Sequence, residues 1–276
     1  MKRANASRGG MFEAYRVPRD FMPFWHFGAR MGIATVNRFL HRMRVRGHSR
    51  LLDAGTGGGA NVLLASWAGF DVTACDLSSQ ALRALQHTLG RVTPVASADC
   101  VRADSCALPF SSGAFDVVIA SHIIEHLDHP AALLLECARV LRPGGVLRVS
   151  CPSRSHALRI GVSLGLQLDP EDHVVQGYEV NDIAALLPKS LRVTGMSYQG
   201  RFVESNCSDA QFYIARALGM SGNPAVDGAP ASPPVWLFAL KEFATLPLLV
   251  AAKLEDALLH FVSGSMISVE IEKSND

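Results

Sequence analysis

The residues best suited to bind a ligand lie in a glycine-rich segment, residues 55–60 with the sequence GTGGGA, directly after the apolar run Leu51–Ala54. Glycine permits positive φ angles and lacks the Cβ that would keep a ligand from the backbone. The helix expected to begin near Asn61 presents unpaired N–H groups and a partial positive charge. The segment therefore predicts a strand-to-helix loop that binds an anionic group.

Asp76 is placed to bind the sugar of a nucleoside cofactor. It ends the segment 72–76 (VTACD), and 76 − 55 = 21 positions separate it from Gly55. A carboxylate about 20 residues beyond such a loop accepts hydrogen bonds from ribose hydroxyls. The loop also fits the dinucleotide template GxGxxG/A. At this point both a nicotinamide cofactor and S-adenosylmethionine (SAM) fit the pattern.

Two further acids favour SAM over a nicotinamide cofactor. Asp53 lies two residues before the first glycine, where a carboxylate can orient loop amides and pair with an ammonium group, which SAM carries on its methionine moiety. Asp104 precedes the turn 105–110 (SCALPF) and can accept a hydrogen bond from an adenine amino group while Leu77 and the turn cover the ring.

Taken in order, these segments resemble the class I SAM-dependent methyltransferases, specifically the small-molecule group typified by ubiquinone and menaquinone methyltransferases (methyltransferase type 11). The likeness runs from Leu51 to about Pro152 and includes the segments 115–121 (FDVVIAS) and 141–147 (LRPGGVL). It continues more weakly through residues 172–178 towards the last strand. Thr56 departs from the family pattern, in which Cys or Ser is frequent.

The resemblance implies that SAM is the cofactor, with its methionine moiety at the glycine loop, its ribose on Asp76 and its adenine near Asp104. It also places Ser121 at the methionine end. The cofactor residues predicted from the sequence and the resemblance together are Asp53, Gly55, Thr56, Gly57, Gly59, Asp76, Leu77, Asp104, Ser105 and Ser121.

The elements that must position these residues follow from an alternation of short apolar runs and helical patterns. Such alternation predicts βαβ units and a parallel sheet. The predicted strands are Leu51–Ala54, Val72–Cys75, Val117–Ala120, Val146–Ser150, Leu191–Met196 and Met266–Ile271. The predicted helices are 33–43, Gln80–Leu89, Ala131–Leu141, Ala210–Leu218 and Phe238–Phe261. The resemblance implies a doubly wound, Rossmann-like sheet of seven mostly parallel strands, with an antiparallel last strand at Met266–Ile271.

Four parts of the chain are expected from this pattern. Residues 1–49 form an N-terminal helical cap that carries an aromatic cluster, and residues 50–202 form the SAM-binding α/β core. Residues 203–264 form a helical insertion or lid, and residues 265–276 supply the last strand and a tail. The segment Ser221–Pro234 has linker composition. We interpret it as a hinge within the insertion, because the last strand needs a sheet to join.

Two histidines are candidate general bases for methyl transfer. His122 follows the fourth apolar run directly, and His173 lies on the crossing after the run that ends at Ser150. Both positions belong to the carboxyl edge of the sheet, where open α/β sheets bind ligands. Histidine is suited to the role because its pKa lies near neutrality. A structural role is the alternative for each.

Two other segments match known catalytic motifs, and we interpret both matches as coincidental. Residues 122–126 (HIIEH) fit a zinc-protease template, and residues 161–165 (GVSLG) fit a nucleophile elbow. The first directly follows a strand at the ligand-binding edge, where such residues cap helices or line pockets. The second lacks an upstream strand. No metal is therefore expected.

Composition limits the partners and the compartment. The formal net charge is +1, and no dense basic run occurs outside residues 41–50, so nucleic acid is not an expected partner. The six cysteines form no CxxC pair, which indicates reduced thiols in a cytoplasmic protein. The apolar stretch Val235–Ala252 is interrupted by Lys241, Glu242 and Pro247, so we expect helices of a lid or core rather than a membrane span.

The sequence thus predicts SAM-dependent methyl transfer to a small, largely apolar acceptor, with oxygen favoured over carbon or nitrogen. The apolar insertion and the aromatic N-terminal segment would bury the acceptor, although extra core and docking on a membrane surface are alternative interpretations of the same segments. A SAM fold adapted to non-methylating chemistry such as cyclisation and a nicotinamide dehydrogenase remain alternative enzyme classes.

Overall fold

The computed structural model describes residues 27–92, 97–154, 160, 174–217, 235–260 and 262–275. The helices are α1 (Phe27–Val45), α2 (Ala60–Trp67), α3 (Ser79–Val92), α4 (Pro130–Val140), α5 (Val180–Leu186), α6 (Phe202–Ala217) and α7 (Val235–Leu258). The strands are β1 (Arg50–Ala54), β2 (Asp71–Asp76), β3 (Asp99–Arg102), β4 (Phe115–Ser121), β5 (Leu141–Pro152), β6 (Leu191–Gln199) and β7 (Met266–Lys273).

The strands form one seven-stranded sheet in the order β3-β2-β1-β4-β5-β7-β6. β7 pairs antiparallel with both β5 and β6, and the other pairs are parallel. This confirms the predicted fold class and the antiparallel last strand. The strand order reverses between β1 and β4. Such a switch point creates a ligand-binding crevice at the carboxyl ends of the strands.

Apolar side chains cover both faces of the central strands. Val118, Leu147 and Val149 belong to the core on one face, whereas Val117 and Val146 belong to the core on the other face, beneath α1, α2 and α3. Strands buried on both faces appear in the sequence as continuous apolar runs. For this reason β1, β4 and β5 were predictable from the sequence.

Several predicted elements differ from the structure in extent. β3 was missed because it contains only two apolar residues, and its burial is partial. α5 was also missed, α1 is longer than predicted, and α6 begins at Phe202 rather than at Ala210. The aromatic residues before Phe27, the segment Ser221–Pro234, the motif 161–165 and His173 lie outside the described residues.

Within the described ranges, no helix has the length and hydropathy required to cross a bilayer. All six cysteines are among the described residues, and all are free thiols.

Asp116 anchors the amino edge of the sheet. Its carboxylate accepts hydrogen bonds from the backbone N–H groups of Ser49 (2.8 Å) and Arg50 (2.9 Å) and from Arg142 Nε (2.7 Å). Burial pushes the pKa of Asp116 upward, but the amides of Arg50 and Ser49 and the guanidinium of Arg142 outweigh it and hold the pKa well below its usual range. The ionised carboxylate therefore fixes the start of β1 against β4 and β5.

We expect Asp116→Ala to lower the free energy of unfolding by about 2–4 kcal/mol, because buried donors lose a charged acceptor. A depressed folded-state pKa stabilises the protein at pH values above the unfolded-state pKa. This contribution should therefore be complete above about pH 4, decrease as the pH falls below 4, and be lost only at the much lower folded-state pKa, so it should be smaller at pH 3 than at pH 7. Urea unfolding at pH 7 and pH 3 measures both effects, with the exposed Asp71→Ala as control. If the two variants lost the same free energy of unfolding at pH 7, the result would contradict the role of Asp116 as an anchor.

Candidate active site

The glycine loop adopts a conformation that requires its glycines. Gly55, Gly57 and Gly59 have φ values of 76°, 45° and 76°. A Cβ at Gly55 would lie 2.5 Å from Ile123 Cδ1, and one at Gly59 would lie 2.4 Å from Leu85 Cδ1. The loop therefore packs directly against the segment that follows β4, which brings the cofactor loop and the transfer end of the crevice together.

Backbone hydrogen bonds attach this loop to the end of β2. The N–H groups of Gly55 and Thr56 both donate to the carbonyl oxygen of Cys75, at 2.8 and 3.0 Å. The N–H of Gly57 donates to Asp76 Oδ2 at 2.8 Å. The loop and the predicted ribose-binding acid thus form one connected unit.

Asp76 uses its second carboxylate oxygen for the chain as well, since Oδ1 accepts from the N–H of Ser78 at 2.8 Å. Each carboxylate oxygen retains further lone-pair capacity. The contact with ribose therefore stays a prediction. In the structure Asp76 also fixes the glycine loop. Its position in the sequence did not indicate this role.

Asp53 is almost completely buried at the end of β1. Its carboxylate accepts hydrogen bonds from Thr56 Oγ1 at 2.8 Å and from Asn61 Nδ2 at 3.4 Å. Burial raises the pKa of Asp53 to about 6, against the lowering effect of these two hydrogen bonds. The sequence suggested that Asp53 orients loop amides, whereas in the structure it binds two side chains of the loop and the first turn of α2.

The predicted adenine end lies at the next strand junction. Asp104 Oδ1 accepts from the N–H of Cys106 at 2.8 Å, which forms a tight turn after β3. Ser105 is buried, whereas Leu77 is 42% exposed and leaves an apolar surface beside the turn. The N–H of Ala103 donates to the carbonyl of Asp76 at 3.1 Å, so the adenine and ribose positions are neighbours.

The transfer end contains a histidine on a strained backbone. Ser121 ends β4 half-buried, and His122 has a φ of 53°, in the left-handed region that non-glycine residues rarely adopt. The His122 side chain is 59% exposed, and its Nδ1 lies 3.5 Å from Glu125 Oε1. The chain therefore turns sharply at the carboxyl edge of the sheet, where the imidazole is largely exposed.

Glu125 was not singled out from the sequence. Its side chain is fully buried, and neither carboxylate oxygen has a hydrogen-bond partner among the described residues. Residues 124–126 form a single 3-10 turn rather than an α-helix, so the two histidines of the HIIEH segment do not share an α-helical face. In the described ranges no group of three His, Cys, Asp or Glu side chains is arranged to hold a metal ion.

Comparison with known proteins relates part of the chain to methyltransferases. Residues 52–149 match the family model described as a methyltransferase domain. The ubiquinone biosynthesis O-methyltransferase of Albidiferax ferrireducens is 28% identical over 176 residues, which cover 63% of this chain and 64% of that protein. The match therefore spans just under two thirds of this relative's own length.

Solved structures share the fold at low sequence identity. A structure from Galdieria sulphuraria, described as a sarcosine dimethylglycine methyltransferase, superposes with a TM-score of 0.60 at 13% identity over 99% of this chain and 97% of that one. The [4+2]-cyclase SpnF superposes with a TM-score of 0.55 at 18% identity over 86% and 80%.

The doubly wound sheet, the glycine loop and the acids at the carboxyl ends of β1, β2 and β3 are the features of a nucleoside-cofactor α/β domain. The match of residues 52–149 to a methyltransferase domain identifies this part of the chain as a SAM-dependent methyltransferase domain. The chain is therefore an enzyme, and its cofactor is SAM. The residues fit this cofactor, because the buried Asp53 carboxylate suits an ammonium group and the glycine loop leads into the first turn of α2, where backbone N–H groups favour an anionic group.

The ionisation of Asp53 should link cofactor affinity to pH. Because the folded-state pKa is raised from 3.8 to about 6, neutral Asp53 stabilises the cofactor-free fold, and this stabilisation is lost as the pH rises through about 6. We expect the ionised form to pair with the cofactor's ammonium. We expect the affinity for S-adenosylhomocysteine (SAH) to increase between pH 5 and pH 7.

Asp53→Asn should abolish most of this pH dependence, weaken SAH binding at pH 7 by about tenfold or more, and make the cofactor-free protein more stable than the parent above pH 6. Calorimetric titration and thermal unfolding measure these effects, with the exposed Asp99→Asn as control. An unchanged pH profile in Asp53→Asn would exclude the pairing.

Proposed function

We propose that this enzyme transfers the methyl group of SAM to an oxygen atom of a small, largely apolar acceptor. The observation that carries the proposal is the His122–Glu125 pair at the end of β4, beside the glycine loop. Oxygen is favoured because a hydroxyl acceptor needs a base to take its proton. The relatives described as ubiquinone biosynthesis O-methyltransferases support the same choice.

SAM, when bound, supplies an electrophilic methyl group on sulfur. The task of the chain is therefore to place the acceptor oxygen in line with that group and to remove its proton. Placement alone contributes roughly 7–11 kcal/mol in well-oriented systems. We assign the cofactor's position to Asp53, Asp76, Asp104 and the glycine loop, with Ser121 at the transfer end.

In this proposal His122 takes the proton of the acceptor hydroxyl. Glu125 orients the imidazole through Nδ1, so that Nε2 is directed to the crevice, and its carboxylate stabilises the positive charge that the imidazole gains. A buried carboxylate serves this purpose better than an exposed one because charge interactions strengthen as the local dielectric constant falls. Glu125 is accordingly a positioning residue, and His122 is the residue that meets the acceptor.

Incubation with methyl-labelled SAM and a panel of hydroxylated apolar acceptors tests the proposal. A product heavier by one methyl group is the expected result. A product of unchanged elemental composition, formed only in the presence of the cofactor, would instead support the cyclisation alternative that the fold of SpnF exemplifies. Label on carbon or nitrogen of the product would contradict the choice of oxygen.

His122→Ala should lower kcat by about 10²–10⁴-fold with little change in SAH affinity, because a general base contributes that amount. Raising the pH from 7 to 10 should restore part of the rate, since the acceptor hydroxyl then ionises unaided. Steady-state kinetics over this pH range measure both effects. The exposed His129→Ala is the matched control, and His173→Ala tests the second predicted base.

Glu125→Gln keeps the size of the side chain and removes its charge. We expect a smaller loss in kcat than for His122→Ala, and no further loss when the two substitutions are combined, because Glu125 acts through His122. Additive losses in the double variant would show that Glu125 does not act through the imidazole. Thermal unfolding of each variant separates these effects from misfolding.

We further propose that α7 meets a membrane surface, which would give access to a lipid-linked acceptor. Leu246, Val250, Leu254 and Leu258 follow one another at intervals of four residues and are 52%, 50%, 57% and 71% exposed. Residues four apart lie on one side of a helix. An exposed apolar row of this kind is typical of helices that lie in the interface of a bilayer.

Flotation with vesicles of phosphatidylethanolamine and phosphatidylglycerol tests this contact. The parent protein should float with the vesicles, and Leu254→Glu combined with Leu258→Glu should reduce the bound fraction several-fold. Gln86→Glu, which adds negative charge on an exposed position of α3, is the control. Equal flotation of all three proteins, or none by the parent, would contradict the membrane contact.

A further inference from the structure

The connection between β3 and β4 has no helix or strand of its own. Residues 103–114 leave the carboxyl end of β3 and return to the amino end of β4, and all of them are described by the structure. Leu108, in the middle of this connection, is 5% exposed and belongs to the core. Backbone N–H and C=O groups beside a buried residue need hydrogen-bond partners. Without regular structure, the connection must obtain these partners from other elements.

Two side chains of α4 provide partners for the backbone of this connection. Glu136 Oε2 accepts from the N–H of Leu108 at 2.7 Å. Arg139 donates to the carbonyl oxygens of Phe110 (Nη1, 2.6 Å) and Leu108 (Nη2, 2.8 Å). The carbonyl oxygen of Arg139 itself accepts from the N–H of Gly113 at 3.0 Å. The last turns of α4 therefore hold the connection at three residues.

The same two side chains are also bound to each other at two points. Arg139 donates to Glu136 through Nε (Oε1, 2.8 Å) and through Nη2 (Oε2, 2.8 Å). Two parallel bonds of this kind fix the relative orientation of the groups. The pair is 35% and 20% exposed, and an exposed ion pair on a helix contributes little to stability. Its distinctive feature is therefore the set of hydrogen bonds to the connection.

The connection contains the acid that we predict to bind adenine. The N–H of Ala107 donates to the carbonyl oxygen of Asp104 at 2.9 Å, and the N–H of Cys106 donates to Asp104 Oδ1 at 2.8 Å. These bonds close the turn and set the direction of the Asp104 carboxylate. Ala107 directly precedes Leu108, the residue that the pair holds through both its N–H and its carbonyl oxygen. A displacement of Leu108 therefore changes the direction of Asp104.

We infer that the Glu136–Arg139 pair of α4 positions the turn 104–107 and thereby sets how strongly the enzyme recognises the adenine base of its cofactor. A hydrogen bond weakens steeply when its angle departs from linearity, so recognition of the adenine amino group depends on the direction of the Asp104 carboxylate. Glu136 and Arg139 act through the turn and are positioning residues. This inference rests on the adenine position that the proposed function assigns to Asp104.

SAH and S-inosylhomocysteine form the probe pair, because the second carries an oxygen where adenine carries its amino group. We expect the parent protein to bind SAH about tenfold or more tightly than the inosine analogue, as one hydrogen bond to a charged group provides. Arg139→Ala should reduce this preference to about threefold or less. It should do so by weakening SAH binding, with little change for the inosine analogue. Calorimetric titration measures each affinity.

Conservative variants separate positioning from a general loss of stability. Glu136→Gln keeps an oxygen that accepts from the N–H of Leu108, so it should retain most of the preference for adenine, whereas Glu136→Ala should lose it. Arg139→Lys cannot bridge two carbonyl oxygens and Glu136 with a fixed fork, so its preference should lie between those of the parent and Arg139→Ala. If Arg139→Ala fails to fold, the series Glu136→Gln, Glu136→Ala and Arg139→Lys carries the test.

Arg46→Ala is the matched control, because Arg46 is similarly exposed at 44% and pairs with Glu272 of β7 at 3.1 Å. It should keep the full preference for adenine. If the variants of the Glu136–Arg139 pair unfold at lower temperature but keep that preference, the pair is only structural and the inference is overturned. A parent protein that does not distinguish the two probes also overturns it.

Asp104→Ala distinguishes failure of this inference from failure of the assigned adenine position. If the preference for adenine survives in Asp104→Ala, the base lies elsewhere, and the inference falls with that assignment. If the preference is lost in Asp104→Ala but kept in Arg139→Ala and Glu136→Ala, only the role of the pair is refuted. Both probes bind without an acceptor, so a failure to methylate oxygen leaves the result unchanged.

Discussion

The burial of the Asp53 carboxylate at the end of the central strand is the constraint on which the cofactor site depends. Removing a carboxylate from water is costly unless it gains hydrogen bonds. Here Thr56 and Asn61 supply them, and in doing so they tie the loop and the first turn of α2 to β1. The three glycines with positive φ therefore connect β1 to α2, and these hydrogen bonds already hold β1 and α2 in place. The ammonium group that we predict at this position would complete the compensation that the two neutral donors leave partial.

Much of this arrangement could be predicted because it is local in sequence. Asp53 and Asp76 lie in the last residues of β1 and β2, and Asp104 lies two residues after β3, so their place at the carboxyl edge follows once the strands are recognised. β1, β4 and β5 are buried on both faces and are therefore evident as apolar runs. β3, at the edge of the sheet, has an exposed-to-partial burial pattern and leaves no such run.

The rest could not be predicted because it depends on register between distant strands. Ser150 and Ser268 are 118 positions apart, and a shift of one residue would place every side chain of β7 on the opposite face. The burial of Glu125 could not be predicted either, because nothing in the local sequence after β4 indicates that this side chain is buried. His173 was predicted from the same edge but lies outside the described residues, so its role stays a prediction.

A comparison of the buried charges separates structural groups from functional ones. Asp116, at the amino edge, accepts from two backbone amides, the hydroxyl of Ser49 and two guanidinium groups, and its stabilising role is complete without a ligand. Glu125, at the carboxyl edge, is as deeply buried and accepts no hydrogen bond among the described residues. Proteins retain such uncompensated groups chiefly where function requires them. The contrast between the two edges therefore supports our proposal that the reaction takes place at the carboxyl edge, on an observation separate from the glycine loop.

One buried arginine attaches the insertion to the sheet. Arg201, almost fully buried at the start of the insertion, donates to the carbonyl oxygens of Tyr198 at the end of β6 and of His260 and Val262 on the returning segment. It also pairs with Asp256 of α7. One guanidinium group thus joins both ends of the insertion and its last helix to the sheet. Because Asp256 lies between Leu254 and Leu258, the same guanidinium group also fixes the exposed apolar row of α7 relative to the sheet.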